Sequence, residues 1–480
     1  MTFHALLLNM LLFFNVTGRF FSNNLNILPR YFNVIDVVIV FIIFIIFLIS
    51  SSSSENESNY KNIFKLYVFF TVLLIIGIFL NYSYINKIPA VSQYIMYSES
   101  IILFYSIVNL PFSNIDISNY IKLLIILIVI NLIIGFLQFI FLYSPGNSEA
   151  IIGTFSGNAE QYAGFIIIAI YYLIGKAKLD PSKNIQYALM IIIILALILM
   201  IDNKASWLGV TTSVFFILLI LSESSFIDKA KYLLLFLLIS ILGLMIVLST
   251  SASLGKFEGM RDAWESDNFM NLGKLKAYQD VLESYEIYPH TIVTGSGPAT
   301  FYSRSSWQFY YIDDILFYNA DKTYDKKGSY RTSNSMGGII SKLDIKPYYY
   351  KFFSRKKIYN IGSGQVDLPF SSYVALLGET GIVGTFLYLS IYIISFKKLI
   401  ICLTKYNNDA EIYPFIVSTI GLFLYLCSVS IYNNWMETGR MMTILWSLAG
   451  IVIKYCSIIK PEIVFSEETD LSWYEVPQNT

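Results

Sequence analysis

Charged residues, cysteine and histidine are all scarce in this 480-residue chain. Only 14% of the residues are charged, whereas a soluble globular protein carries about 25%. The chain is instead rich in Ile and Leu runs and has 37 residues each of Tyr and Phe. This excludes a water-soluble enzyme and a disordered chain. The 33 basic and 33 acidic residues cancel, so no overall field attracts nucleic acid. The composition indicates an all-α polytopic membrane protein.

The few cysteines and histidines limit disulfide and metal chemistry. The cysteines, all in or beside apolar runs near the end of the sequence, are Cys402, Cys427 and Cys456. The long polar segment 250–370 contains none, so no disulfide framework can form there. The only histidines are His4 and His290, and one histidine in the polar segment is too few for a zinc site built on imidazole. We therefore expect no metal and no cofactor.

Long apolar runs predict about 12 transmembrane helices. A bilayer core about 30 Å thick needs about 20 mostly apolar residues per helix. The clear runs are 34–50, 64–81, 91–108, 121–143, 185–201, 205–222, 232–249, 371–396, 412–431 and 441–459. A shorter run covers 161–175, and segment 3–21 is ambiguous because Asn9 and Asn15 interrupt it. Since that segment lacks the basic region and cleavage site of a signal peptide, we expect it in the mature protein.

The distribution of Lys and Arg predicts the orientation, because cytoplasmic loops carry an excess of both. One set of short loops holds 13 basic residues and the opposite set holds 5, which places the first set in the cytoplasm. We expect an N-terminal bundle of about nine helices over 1–249, an outward loop over 250–370, three helices over 371–460 and a cytoplasmic tail over 461–480. A structureless loop as long as 250–370 is unusual, so short helices are expected in it.

An amphipathic helix is predicted over 271–287, with Asn271 as its cap. Its apolar positions are Leu275, Tyr278, Leu282 and Tyr285, and the opposite, wet face carries Lys276, Asp280 and Glu283. Lys274 lies at the edge of the apolar stripe. Either the aliphatic part of the Lys274 side chain lies along apolar surface, or its ammonium group faces an anionic ligand at the membrane surface.

Two glycine-containing loops are candidates for anion binding. The predicted helix leads through His290 into Gly295-Ser296-Gly297-Pro298, where both glycines permit tight turns and can present N–H groups to an oxyanion. A simple turn is the alternative. The second loop, 153–162, has the sequence GTFSGNAEQY. A helix that starts near its Asn158 would direct a positive helix end at an anionic group, and an ordinary capped helix start is the alternative.

Three charged residues at predicted span ends are further candidates. Lys204 lies in a short outward turn and Arg440 opens the last span, and each is either an interfacial anchor or a phosphate ligand. Glu379 lies about two turns into a span. A carboxylate in mid-membrane costs about 2.5–3.5 kcal/mol, so Glu379 is expected to be functional or paired with a loop amide or an arginine. Tyr373 and Asp367 lie at the outer entrance of the same helix.

Four sequence segments resemble the O-antigen polymerase and O-antigen ligase superfamily. They are, in order, GTFSGNAEQYAGF, NKASWLG, the loop stretch from GKLKAYQDVL to YPHTIVTGSGPATF, and SSYVALLGETGIVG. The resemblance covers roughly residues 150–400. It implies action on oligosaccharides carried by undecaprenyl pyrophosphate at the outer, periplasmic face of a bacterial inner membrane. It also implies contact with membrane lipid, and a chain-length regulator and a flippase as partners in the same pathway.

Such chemistry needs cations near the diphosphate and a base for the acceptor hydroxyl. The family has basic residues, typically Arg, at the positions that match Lys204 and Lys274. The other external arginines available for the diphosphate are Arg261, Arg304, Arg331 and Arg440. The candidates for the base are His290, Glu379, Asp367 and Glu160. Further candidates for contact with substrate are Gly295, Gly297, Asn158, Gln161, Tyr278 and Tyr373.

The residues before Tyr373 favour the polymerase branch of the superfamily. Ligases typically carry His-Asn there, and this chain has Phe370-Ser371. A ligase that transfers the glycan to another acceptor remains an alternative. A polysaccharide flippase or transporter is the alternative from a different class. Transporters favour internal repeats, broken paired helices and midplane charges, whereas this sequence shows no repeat and Glu99 is its main deep charge.

Overall fold

The computed structural model describes residues 2–25, 27–28, 35–50, 60–82, 85, 87–142, 150–155, 159–201, 204–222, 273–301, 303 and 371–458. This part of the chain is 85% helix and contains no strand, so the all-α prediction is confirmed. The first eight α-helices are α1 (Phe3–Arg19), α2 (Ile35–Ser50), α3 (Lys61–Leu80), α4 (Lys87–Asn109), α5 (Asn114–Leu142), α6 (Ala159–Leu179), α7 (Asn184–Met200) and α8 (Lys204–Leu221). The others are α9 (Gly273–Ile287), α10 (Thr291–Thr294), α11 (Ser372–Lys405), α12 (Tyr413–Val429) and α13 (Gly439–Ile458).

Seven of the described helices are long and apolar enough to cross a membrane. They are Phe3–Ser22, Lys61–Leu80, Asn114–Leu142, Ala159–Leu179, Pro181–Met200, Ser372–Lys405 and Gly439–Ile458. The ambiguous segment 3–21 is therefore one of the candidate spans. Shorter apolar helices cover Ile35–Ser50, Ala205–Leu221 and Tyr413–Val429. The predicted span 232–249 and the tail 461–480 lie outside the described residues, so the count of twelve stays a prediction.

Helix α4 lies inside the bundle. It covers the predicted span 91–108, yet it is not among the helices apolar enough to be candidate spans. Its polar side chains Gln93, Glu99 and Ser100 are buried, and the helix packs against α2 and α13. Protein rather than lipid surrounds this helix, and a protein neighbour can accommodate polar side chains that a lipid tail cannot.

Contacts between helix ends show that the helices alternate in direction. At one end, here called the polar end, His290 contacts Asn81 after α3, Glu160 at the start of α6 contacts Asn433 after α12, and Arg19 at the end of α1 acts electrostatically on Asp36 at the start of α2. At the opposite end, Thr2 contacts Asp116, Lys454 contacts Val108 and Lys176 contacts Ala410. Such alternation is the arrangement of a chain that crosses a bilayer repeatedly through short loops.

The core contains large aromatic side chains that pack edge to face. The indole ring of Trp446 on α13 is buried, with ring centroids 5.1 Å from Phe104, 4.9 Å from Tyr392 and 5.5 Å from Phe423. Edge-to-face contact is electrostatically favourable for aromatic rings. It contributes about 0.5–1.5 kcal/mol per pair in addition to the stabilisation from burying the rings. The cluster joins α4, α11, α12 and α13 and thereby positions the ends of these helices.

Candidate functional site

The end of α12 and the turn after it connect three of the four segments that resemble the superfamily. Residues 425–433 are here called the junction segment. The amide of Asn433 donates to both carboxylate oxygens of Glu160 at 3.1 Å. The hydroxyl of Tyr425 donates to Ser206 near the start of α8 at 3.0 Å. The backbone N–H of Ser372, at the start of α11, donates to the carbonyl oxygen of Ser430 at 3.0 Å.

Two predicted site residues contact or flank this junction. The hydroxyl of Tyr373 donates to the carbonyl oxygen of Cys427 at 3.1 Å, which fixes the first turn of α11 against α12. Gln161 is buried in the first turn of α6 beside Glu160. Asn158, near which this helix was predicted to start, lies outside the described residues.

The loop after α10 inserts into a break in α11. Gly381 has φ 67° and ψ −176°, so the helix is interrupted there. The backbone N–H groups of Ser296 and Gly297 donate to the carbonyl oxygens of Gly378 and Glu379 at 2.9 and 3.0 Å. Gly295 has φ 68°, and a Cβ there would overlap the backbone of Glu379. An interrupted helix is tolerated at membrane depth where protein satisfies its backbone groups, and this loop provides the donors.

Glu379 is buried at this break and surrounded by hydrogen-bond donors. Its Oε1 accepts from the backbone N–H of Phe301 at 3.2 Å, and its Oε2 accepts from the hydroxyl of Tyr97 at 3.1 Å. The Ser303 hydroxyl and the Ala299 amide are also hydrogen-bonded to this carboxyl group. The contacts match the predicted pairing with a loop amide. The glycine N–H groups at 295 and 297 were predicted to face an oxyanion. The Gly295 N–H instead closes the last turn of α10 by donating to the Thr291 carbonyl oxygen, and the Gly297 N–H donates to the Glu379 carbonyl oxygen beside the break in α11.

His290 lies at the same loop and is exposed. Its Nε2 is 3.0 Å from Oδ1 of Asn81, the residue that ends α3. The Asn81 amide nitrogen donates to the carbonyl oxygens of Gly77 at 3.0 Å and Gly295 at 3.4 Å. A single asparagine therefore joins the end of α3, the histidine and the glycine loop.

Helix α9 packs on the first turns of α11 through a stripe that includes the predicted Tyr278 and Tyr285 but has Val281 in place of Leu282. Leu282 was predicted to lie on the apolar face but is 60% exposed, whereas Val281 is 2% exposed. Tyr278 is partly buried on the same side, and the Tyr285 hydroxyl donates to the carbonyl oxygen of Leu377 at 2.7 Å. Burial raises the pKa of Tyr285 to about 12. Val281 takes the place of Leu282 because α11 approaches the side of α9 that carries Val281 and Tyr285.

The loop before α6 is held on α5 by two amide side chains. Gln138 Oε1 accepts from the backbone N–H of Ile152 at 2.9 Å and of Gly153 at 2.7 Å. Asn131 Oδ1 accepts from the backbone N–H of Thr154 at 2.9 Å. The described loop residues 150–155 are thus fixed to the bundle, and the N–H groups at 152–154 face side chains of α5.

A group of buried charges lies at the polar end between α2, α4 and α13. Asp36, Glu99 and Arg440 are all buried, with exposed fractions of 8%, 4% and 6%. The charge of Arg440 acts on Asp36, and Asp36 acts on Glu99. Gly439 lies beside Glu99, since a Cβ at that glycine would be 3.3 Å from Oε2. Arg440 is therefore neither a surface anchor nor an isolated cation. Its positive charge compensates the buried carboxyl groups next to it, which lipid could not do.

The other predicted cations fall at or beyond the limits of the described residues. Lys204 is the first residue of α8 and Lys274 the second of α9, and in both cases the side chain lies outside the described part of the chain. The same holds for Arg261, Arg304, Arg331 and the carboxylate candidate Asp367. Their convergence on one diphosphate site stays a prediction.

Three residues that connect the site were missed by sequence reasoning. Asn81 and Asn433 each follow an apolar run directly, and Asp36 lies at the start of one. A polar residue at the end of a span is a usable signal, since it lies where α-helices leave unsatisfied backbone groups. Such residues are common at helix ends, however, and only the contacts identify these three.

Compared with known proteins, the chain matches no family model and no curated sequence.

Proposed function

We propose that the chain is a polymerase of lipid-linked oligosaccharide repeat units. It would transfer a growing glycan from undecaprenyl pyrophosphate to a non-reducing-end hydroxyl of the next lipid-linked unit, in the synthesis of O-antigen or a related surface polysaccharide. The observation that carries the proposal is that all four resembling segments meet at the polar end. The junction segment joins three of them, and the loop 295–301 joins the remaining one to α11.

The proposed reaction requires groups that can be placed at the polar end of the bundle. Pyrophosphate is a good leaving group once its charge is neutralised, so cations and N–H donors near it lower the barrier. Lys204 opens α8, which begins at the polar end, and Arg440 lies buried beside Asp36 in the first turn of α13 at the same end. A lipid-linked substrate would reach this end from the bilayer. In this proposal the polar end and segment 250–370 face the periplasm, and the chain is in a bacterial inner membrane.

Two observations keep a transporter as the second candidate. The broken helix α11 and the buried charges Asp36, Glu99 and Arg440 are features that transporters use to bind and move substrates. A transporter would leave the glycan unchanged, so the product distinguishes the two classes.

A deletion strain tests the proposal through its lipopolysaccharide banding pattern. Loss of a polymerase leaves the core with a single repeat unit attached, since export and ligation still operate. Loss of a ligase or a flippase leaves the core with no repeat unit. A bare core in the deletion strain would therefore refute the polymerase assignment, and a normal ladder would refute any role of the chain in O-antigen synthesis.

A further inference from the structure

The contacts of Asn81 determine which way its side-chain amide points. Its nitrogen donates to two carbonyl oxygens, those of Gly77 and Gly295. A carbonyl oxygen can accept but not donate, so the amide NH₂ has to face these two groups. The reversed orientation would place three oxygens together in a buried position. Oδ1 of Asn81 therefore faces His290.

This orientation fixes the tautomer of His290. Oδ1 of Asn81 can only accept, and it lies 3.0 Å from Nε2 of the imidazole. Nε2 therefore carries the proton and donates it. In a neutral imidazole one nitrogen is the donor and the other has the lone pair, which leaves the lone pair on Nδ1. Within the described residues, no hydrogen-bond donor occupies Nδ1.

The other described base candidates are less suited to meet a substrate. Glu379 is buried, and four donors from α4 and the glycine loop surround it. Glu160 receives the Asn433 amide on both of its oxygens. His290 is exposed at the polar end, and one of its nitrogens is held while the other is open.

We propose that Nδ1 of His290 is the base of the reaction and that Asn81 is its positioning residue; this rests on the proposed polymerase function. The acceptor hydroxyl oxygen bonds to the anomeric carbon of the donor glycan. The bond from that carbon to the pyrophosphate oxygen breaks, and the lipid pyrophosphate leaves with the electron pair. The hydroxyl proton moves to Nδ1, while Nε2–H stays hydrogen-bonded to Asn81.

The tautomer can be measured without an activity assay. The signals can be assigned because the chain has only two histidines. We would record ¹⁵N spectra of ¹⁵N-histidine-labelled full-length protein in nanodiscs, and use a His4→Asn variant to assign His290. In the neutral form of the ring, the proton of His290 is expected on Nε2, with loss of that preference in Asn81→Leu. A neutral ring protonated on Nδ1 would overturn the inference, even if the protein proves to be a polymerase.

The catalytic role is tested with His290→Gln, whose amide can still donate to Asn81 but cannot accept the proton as imidazole does. Extension of a lipid-linked repeat unit should fall by about 10²–10⁴-fold, with an unchanged melting temperature. Asn81→Gln keeps both the accepting oxygen and the NH₂ group and should retain more activity than Asn81→Leu, with the difference in kcat rather than KM. Wild-type extension by His290→Gln would refute the base. Absence of extension by the wild-type protein would refute both the proposed function and the role of His290 as the base. The ¹⁵N spectrum would still show which nitrogen of His290 carries the proton.

Discussion

Replacing Glu379 separates a structural role from a chemical one. This carboxyl group accepts from the Phe301 amide and the Tyr97 hydroxyl in a fully buried position. Glu379→Leu would leave these two donors without an acceptor, together with the Ser303 and Ala299 donors beside them. Each unsatisfied buried donor costs about 1–3 kcal/mol, so the Phe301 and Tyr97 donors alone account for about 2–6 kcal/mol. Glu379→Gln keeps one accepting oxygen for the Phe301 amide, and the Tyr97 hydroxyl can rotate to accept from the new NH₂. Its cost should not exceed one charge-assisted hydrogen bond, about 1.5–3 kcal/mol.

The assay combines thermal unfolding in nanodiscs with limited proteolysis of the loop 295–303. We expect Glu379→Leu to lower the melting temperature and expose the loop to protease, with Glu379→Gln intermediate. Tyr97→Phe is the matched partner, and a double-mutant cycle with Glu379→Gln should give a coupling energy of about 0.5–3 kcal/mol. If Glu379→Gln leaves stability and loop protection intact but abolishes activity, the assignment to loop anchoring is wrong and Glu379 takes part in the chemistry.

Three further predictions concern the rest of the polar end. Lys274→Ala should abolish glycan ladders at normal protein levels, whereas Lys276→Ala on the wet face should not, and ladders from the Lys274→Ala strain would remove that residue from the site. Asn433→Leu removes a partly buried hydrogen-bond partner of Glu160 and should cost about 0.5–1.5 kcal/mol of stability, whereas a melting temperature equal to wild type would show that the contact is dispensable. Tyr285 has its pKa raised to about 12 by burial, so its stabilising contribution is complete below pH 10 and is lost as the pH rises through 12. The difference in tyrosinate absorbance between wild type and Tyr285→Phe should therefore appear near pH 12, and a step near pH 10 would contradict the burial.

The membrane class could be predicted from the sequence because hydropathy alone determines it. The described candidate spans include the ambiguous segment 3–21. Helix α4 shows the limit of this reasoning, since its buried polar residues depend on neighbours that no local pattern specifies. The exposure of Leu282 on α9 has the same cause: the amphipathic pattern correctly identified Tyr278 and Tyr285, and the partner helix decides which neighbouring position is buried with them.

The candidate site was predictable in its residue types but not in its partners. The sequence identified Glu379 and the glycine loop separately, as a carboxylate in a span and a tight turn. It could not show that the loop inserts at Gly381, because residues 295 and 381 are distant in sequence and meet only in the folded bundle. Asn81 and Asn433 were not recognised for the same reason, since an asparagine after an apolar run is common and gains meaning only from its contacts.

The most direct test of the central claim is extension of a glycan by the purified protein. The protein in nanodiscs would receive a lipid-linked repeat unit and no nucleotide sugar, with the products resolved by mass. The account predicts glycans lengthened by whole repeat units, with release of undecaprenyl pyrophosphate. Extension that occurs only when a nucleotide sugar is added would contradict it, as would recovery of every repeat unit unchanged.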